Sequence, residues 1–179
     1  MTSPARGATR HIDLRPLGPA DGGHLVAWLE PGEAAAWLAS AKGDPLRQGW
    51  IVELGGAPAG LAGVVDVDRG HQRCAWAHHL DAPDVGVEAY VHYWGCEYVF
   101  EGLRFAKLWC EAPAGDAALL ARLESCGLGP EARLRGHVEH GGERADVVRL
   151  AILAGDWRAM RRAMAARLRT LGFEPPAIG

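Results

Sequence analysis

Two adjacent histidines, His78 and His79, end a stretch of strand-like residues at 73–80. Two aspartates, Asp66 and Asp68, end the valine-rich stretch before it, at 61–68. An imidazole with an ordinary pKa of about 6.5 can take a proton near neutral pH. A carboxylate is the other common proton acceptor. Successive strand residues face opposite sides, so only one of His78 and His79 can point into a given cleft. The plainer reading of either is a partly buried histidine satisfied by hydrogen bonds. Asp66 and Asp68 read equally well as the water-facing end of a hairpin. His71 and Cys74 lie close in sequence to the two histidines and together suggest a metal centre. They sit on a turn and a strand, with no paired Cys-x-x-Cys or His-x-x-x-His, so no metal is expected.

A second group surrounds Gly86, which opens a segment of helical period. Backbone amides at a helix start are unpaired donors that favour anions. Here Asp81, Asp84 and Glu88 flank the glycine, and no Lys or Arg lies between Leu80 and Glu88. Carboxylates beside a bound phosphate would repel it. Alternatively, Asp84 or Glu88 favours the helix start and points to solvent.

The elements that must position these groups follow from period and punctuation. Residues 12–17 alternate like a first strand, and two short helical stretches carry Leu25, Trp28 and Leu29, then Ala34, Trp37 and Leu38. Strands at 50–54, 61–68 and 73–80 are joined by a Gly55-Gly56 turn and by the stretch 69–72, which makes an antiparallel meander. Ala89, Tyr93, Cys96, Phe100 and Leu103 recur at helical spacing over 88–103. A buried strand at 107–111 precedes a helix at 116–126, with Asp116 as its N-cap and Gly127 as its left-handed stop. Strands at 132–139 and 144–153 are joined at Gly141-Gly142. Asp156 can cap a final helix whose stripe is Trp157, Met160, Met164, Leu168 and Leu171, with five arginines on the other side. That order implies a mixed α/β sheet covered by helices.

Composition bounds the rest. The chain has 179 residues, 49% hydrophobic and 23% charged, which suits one globular domain. A net charge of −3 gives no pull toward nucleic acid or anionic membrane. The first residues show no signal-peptide pattern, and no apolar run could span a bilayer, so a cytoplasmic protein is expected. The four cysteines (Cys74, Cys96, Cys110, Cys126) read as buried thiols. The expected organisation is a loose leader at 1–10, one domain at 11–155 and a basic amphipathic helix at 156–172.

Leu134-Arg135-Gly136-His137-Val138, then Gly141-Gly142, then Asp146-Val147-Val148-Arg149-Leu150 resemble the last two strands of one branch of the GNAT acetyltransferases. Tyr98-Val99-Phe100-Glu101 with Leu103, Lys107-Leu108 and Glu111 is similar to the third helix and fifth strand of that branch, and 119–128 to its fourth helix. The branch includes the N-acetyltransferase of pseudaminic-acid synthesis, which acetylates a UDP-linked amino sugar used on flagellin. The resemblance implies a GNAT fold of about seven mostly antiparallel strands. It implies acetyl-CoA as acyl donor and a primary amine as acceptor, with a nucleotide-linked amino sugar as the first candidate. A ribosomal-type protein N-terminal acetyltransferase is an alternative, and a GNAT-fold binding module without catalysis is another. A homodimer is also possible on this pattern.

By the same resemblance, the donor would be held by Leu80, Asp81, Val85, Gly86, Val87 and Glu88, in the stretch matching the family's Q/R-x-x-G-x-G/A loop, and by Asp116. Glu88 stands where that loop has a second glycine or alanine. The tyrosine that often protonates the departing thiolate would fall at Leu123, which has no proton to give. His78, His79 and Asp66 are the candidate bases.

Overall fold

A computed structural model describes residues 10–81, 84–140 and 142–176. The expected leader at 1–10 and the Gly141 half of the last turn therefore lie almost wholly outside the described residues. Apolar and β-branched runs bounded by glycine turns form seven strands: β1 (Ile12–Pro16), β2 (Gln48–Leu54), β3 (Ala57–Asp68), β4 (Arg73–Leu80), β5 (Lys107–Pro113), β6 (Gly129–His140) and β7 (Glu143–Leu153). The helices are α1 (Gly22–Trp28), α2 (Pro31–Ser40), α3 (Val85–Glu97), α4 (Ala117–Ser125) and α5 (Ala154–Thr170). The strands form one sheet in the order β1-β2-β3-β4-β5-β7-β6. Every neighbouring pair is antiparallel except β4 and β5. The expected mixed α/β sheet and its meander are thus present, and no described helix is long and apolar enough to cross a membrane.

The sheet has an apolar layer on each face, as its alternation requires. On one face α3, α4 and α5 cover Val52, Val64, Trp76, Leu108 and Leu150. On the other, α1 and α2 place Leu25 and Trp37 against Leu17, Ile51 and Leu61. Cys74, Cys96, Cys110 and Cys126 are all buried free thiols, as expected, and burial pushes Cys74 and Cys110 up to about 12.

Several boundaries move. The predicted helix over 88–103 begins earlier, at Val85, and its last turn widens into a π-helical turn, Tyr98–Gly102. The strands predicted at 132–139 and 144–153 begin earlier, at Gly129 and Glu143, the first also reaches His140, and their ladder shifts register at Pro130/Ala132 and Leu134/Val138. Asp156 is not the cap of the last helix. α5 starts two residues earlier behind Leu153, and the Ala154 amide bonds to the Ala106 carbonyl, which leaves Asp156 in the first turn. There its charge still suits the positive helix end. Gly127, at φ 92°, does end α4, and Asp116 does cap it by accepting from the Leu119 amide at 2.9 Å.

α3 lies close on β4 because Gly95 faces the indole of Trp76. A Cβ at residue 95 would stand 2.8 Å from that ring. Gly95→Ala improves helix propensity by about 1 kcal/mol, but overpacking costs about 1–3 kcal/mol. We expect a net loss of about 1 kcal/mol, read as a lower urea midpoint at unchanged m-value. A more stable variant would show that the ring has room to move.

Candidate active site

β4 and β5 begin side by side and then part. Their parallel register holds for Arg73–Lys107, Cys74–Leu108 and Ala75–Trp109 and is not continued toward the strand ends. Two strands that separate leave a gap that neighbouring side chains must line. Here a cavity of about 350 Å³ occupies it. Because side chains alternate, the cavity is lined from both faces of the sheet. From the α3 and α4 face come Trp76, His78, Cys110, Leu119 and Leu123. From the α1 and α2 face come Val65, Ala77, Trp109 and Glu111, and Asp66 joins them from the irregular end of β3. The result is a slot through the sheet, largely apolar on the α4 side, with Glu111 on the other face and Asp66 at the bulge in β3.

Asp66 sits at a bulge where the β3–β4 register shifts, with φ at 51°. Glu111 accepts from Arg149 Nε and Nη2 at 3.0 and 2.6 Å, both through one oxygen. Its other oxygen is 3.7 Å from His137 Nε2. His78 points toward α3, with Nε2 3.7 Å from Glu88 Oε1. His79 points the other way and lies against the Trp28 ring at 6.3 Å, away from the slot. Only His78 of the pair therefore lines it.

Glu88 does not point to solvent. It is 5% exposed, and Arg122 of α4 brings Nε to 2.9 Å from its Oε2, although not aligned as a hydrogen bond. Burial alone would raise the Glu88 carboxyl, but His78 and Arg122 outweigh it and hold it below the ordinary value. The pair ties α3 to α4 beside the slot. One turn on, His92 is fully enclosed, and neither ring nitrogen has a partner among the described residues. Burial, with a smaller push from His78, holds its pKa well below the ordinary value, so the ring is neutral. A buried polar group left unpaired costs about 1–3 kcal/mol.

Asp84 is the N-cap of α3 and accepts from the Gly86 and Val87 amides at 2.8 and 3.2 Å. Those are the donors a diphosphate would use at this helix start. Arg10 pairs with the same carboxylate at 3.0 Å and lies over the Phe173 ring. Phe173 packs onto Gly86 so closely that a Cβ there would meet the ring at 2.5 Å. The chain segments before β1 and after α5 thus meet over the start of α3. Among the remaining expected donor residues, Leu80 and the Asp81 amide are engaged with β3, and Val85 is exposed. Pro83 lies outside the described residues.

Solved structures superpose on this architecture. A chimera of the spermidine N-acetyltransferase SpeG from Vibrio cholerae and hSSAT matches at a TM-score of 0.74 and 17% identity, over 83% of this chain and 98% of that one. SpeG from Vibrio cholerae in complex with manganese ions matches at 0.73 and 17%, over 85% and 96%. A crystal structure described as an acetyltransferase matches at 0.74 and 22%, over 94% and 99%. The chain has the GNAT fold. No protein-family model matches it, and no curated protein matches it significantly. At these identities the likeness carries the GNAT fold and not a substrate.

His71 and Cys74 are not brought together. His71 is exposed and bonds to Asp68, while Cys74 is buried on another face. Sequence reasoning missed Glu111, His92 and Arg122. Glu111 and His92 had been absorbed into strand and helix patterns. The i, i+4 spacing of Glu88 and His92 was the available signal, since it puts both on one helix face.

Proposed function

We propose that the chain is an N-acyltransferase acting on a primary amine, with acyl transfer in the slot where β4 and β5 part. The observation that carries this reading is the slot itself: its lining combines an apolar wall on the α4 side with two carboxylates, Asp66 and Glu111. Acyl transfer from a thioester forms a bond from the amine nitrogen to the carbonyl carbon, breaks the carbon–sulfur bond and releases a thiol. Acetyl-CoA is the donor the fold implies. The apolar half, with Leu119 and Leu123, suits a thioester arm. The diphosphate end does not fit as it stands, because Asp84 holds the two amides and Phe173 fills the approach to Gly86.

The two carboxylates have separable tasks. An amine arrives as a cation and is drawn to carboxylates. Glu111, steadied by Arg149 on one oxygen, offers the other to hold it. Asp66, exposed on its bulge, takes the proton. His78 faces α3 instead and is not the base in this scheme. Two carboxylates favour small polyamines over a nucleotide-linked amino sugar, whose phosphates they would repel. The test is release of free thiol from acetyl-CoA in the presence of polyamines, amino sugars, a UDP-linked amino sugar and peptides with free N-termini. Turnover with polyamines ahead of the rest is expected, and no turnover with any amine ends the proposal.

A second reading is favoured by Asp84: a GNAT-fold binding module that no longer takes coenzyme A. Asp84→Ala frees the Gly86 and Val87 amides. We expect acetyl-CoA to bind about tenfold more tightly to this variant, a gain of about 1.4 kcal/mol, while lost capping lowers stability by about 1 kcal/mol. Titration calorimetry reads the first and urea unfolding the second. If neither protein binds at about 1 mM, where a ligand should raise the melting temperature by mass action, the module reading stands.

A further inference from the structure

Behind His78, which lines the slot, lies an arrangement that acyl transfer does not use. His92 is 1% exposed, and both its ring nitrogens lack partners among the described residues. Glu88 lies one turn earlier on the same face of α3. His78 reaches both from β4: its ring centroid is 4.7 Å from that of His92, nearly perpendicular at 77°. One donor atom from each of the three lies within 4.8 Å of the other two.

We propose that His78, Glu88 and His92 bind one divalent transition-metal ion of the zinc class. Two imidazoles and one carboxylate are a donor set that such ions accept, with a fourth position left open. Donors on zinc stand about 3.3 Å apart, given bonds of about 2.0–2.1 Å. His78 Nε2 and Glu88 Oε1 are already 3.7 Å apart. Side-chain shifts of about an ångström therefore close the cluster on an ion. His78 also lines the slot, so the ion would sit next to it. An ion also gives the enclosed His92 the partner that no described residue provides.

Arg122 opposes the ion electrostatically, since its Nε is 2.9 Å from Glu88 Oε2. Its side chain is 38% exposed, so it can swing into water when the ion arrives. This predicts a direction: removing the Arg122 charge should tighten metal binding.

The experiment uses the full chain stripped with a chelator and titrated with Co²⁺, read by visible absorption, and with Zn²⁺, read by calorimetry. One equivalent should bind, with the cobalt bands of a low-coordinate site. His92→Phe keeps a buried ring without donors and should weaken Zn²⁺ binding at least a hundredfold. His78→Asn, at the slot wall, should do the same should His92→Phe not fold. Arg122→Gln should bind about tenfold more tightly than the parent. His71→Asn, on an exposed turn, should bind as the parent does. Absence of one-equivalent binding, or binding that survives both His92→Phe and His78→Asn, overturns the site. These readouts are independent of acyl transfer, so failure of one proposal leaves the other standing.

Discussion

Glu97→Ala is expected to destabilise the fold by about 3 kcal/mol, the low end for breaking a buried ion pair. Glu97 ends α3 and is 2% exposed. Its Oε1 accepts from the Trp157 indole at 3.1 Å, and its Oε2 pairs with Arg161. Trp157 is itself fully buried and meets Tyr93 edge-on at 5.0 Å. One carboxylate therefore fastens α5 to α3. Its removal leaves a buried N–H without an acceptor and a cation facing an apolar layer. Arg161 is 45% exposed and can turn to water, which is why the upper end of the range is not expected. Glu97→Gln should lose less, because the amide oxygen still accepts from Trp157. Urea unfolding at constant m-value measures both. A loss below about 0.5 kcal/mol for the alanine variant would mean that α5 is held by its apolar stripe alone.

Asp66→Asn is expected to lower kcat for amine acylation by about a hundredfold, the modest end of what a general base contributes. Asparagine is the appropriate substitution because the residue sits at φ 51°, a left-handed conformation that Asn and Asp tolerate better than most residues. The bulge should therefore persist, and only the proton acceptor is lost. KM for the amine should change little, since Glu111 still holds the cation. Glu111→Gln should show the opposite pattern, a raised KM with kcat less affected. Asp68→Asn is the control: Asp68 bonds to His71 and Arg73 on the turn and does not line the slot. Unchanged kcat in Asp66→Asn would remove Asp66 from the reaction and return attention to His78.

Strand and helix types were legible where period and punctuation agree. The β2–β4 meander follows from alternating valines and glycine turns, and α4 from Asp116 and Gly127 at its ends. The His78/His79 alternation was legible too, since a strand sends neighbours to opposite faces. What failed is instructive. Glu88 looks like a surface carboxylate because charge at a helix start is common. Its burial depends on Arg122, 34 positions further along the chain, and on His78 across the gap to β4. No local pattern contains that information.

Local chemistry along the chain was enough to specify the order of elements, the cap and stop of α4, and which side chains share a face. Those properties depend on backbone preferences and on periods of two and of about 3.6 residues, which act between near neighbours. The through-sheet slot, the Asp84 carboxylate over the α3 amides and the His78–Glu88–His92 cluster exist only once β4 parts from β5 and the two ends of the chain meet at Phe173. Long-range packing decides these features, because each requires groups from distant segments to be brought within a few ångströms, and that distance is set by the assembled core rather than by any one stretch of it.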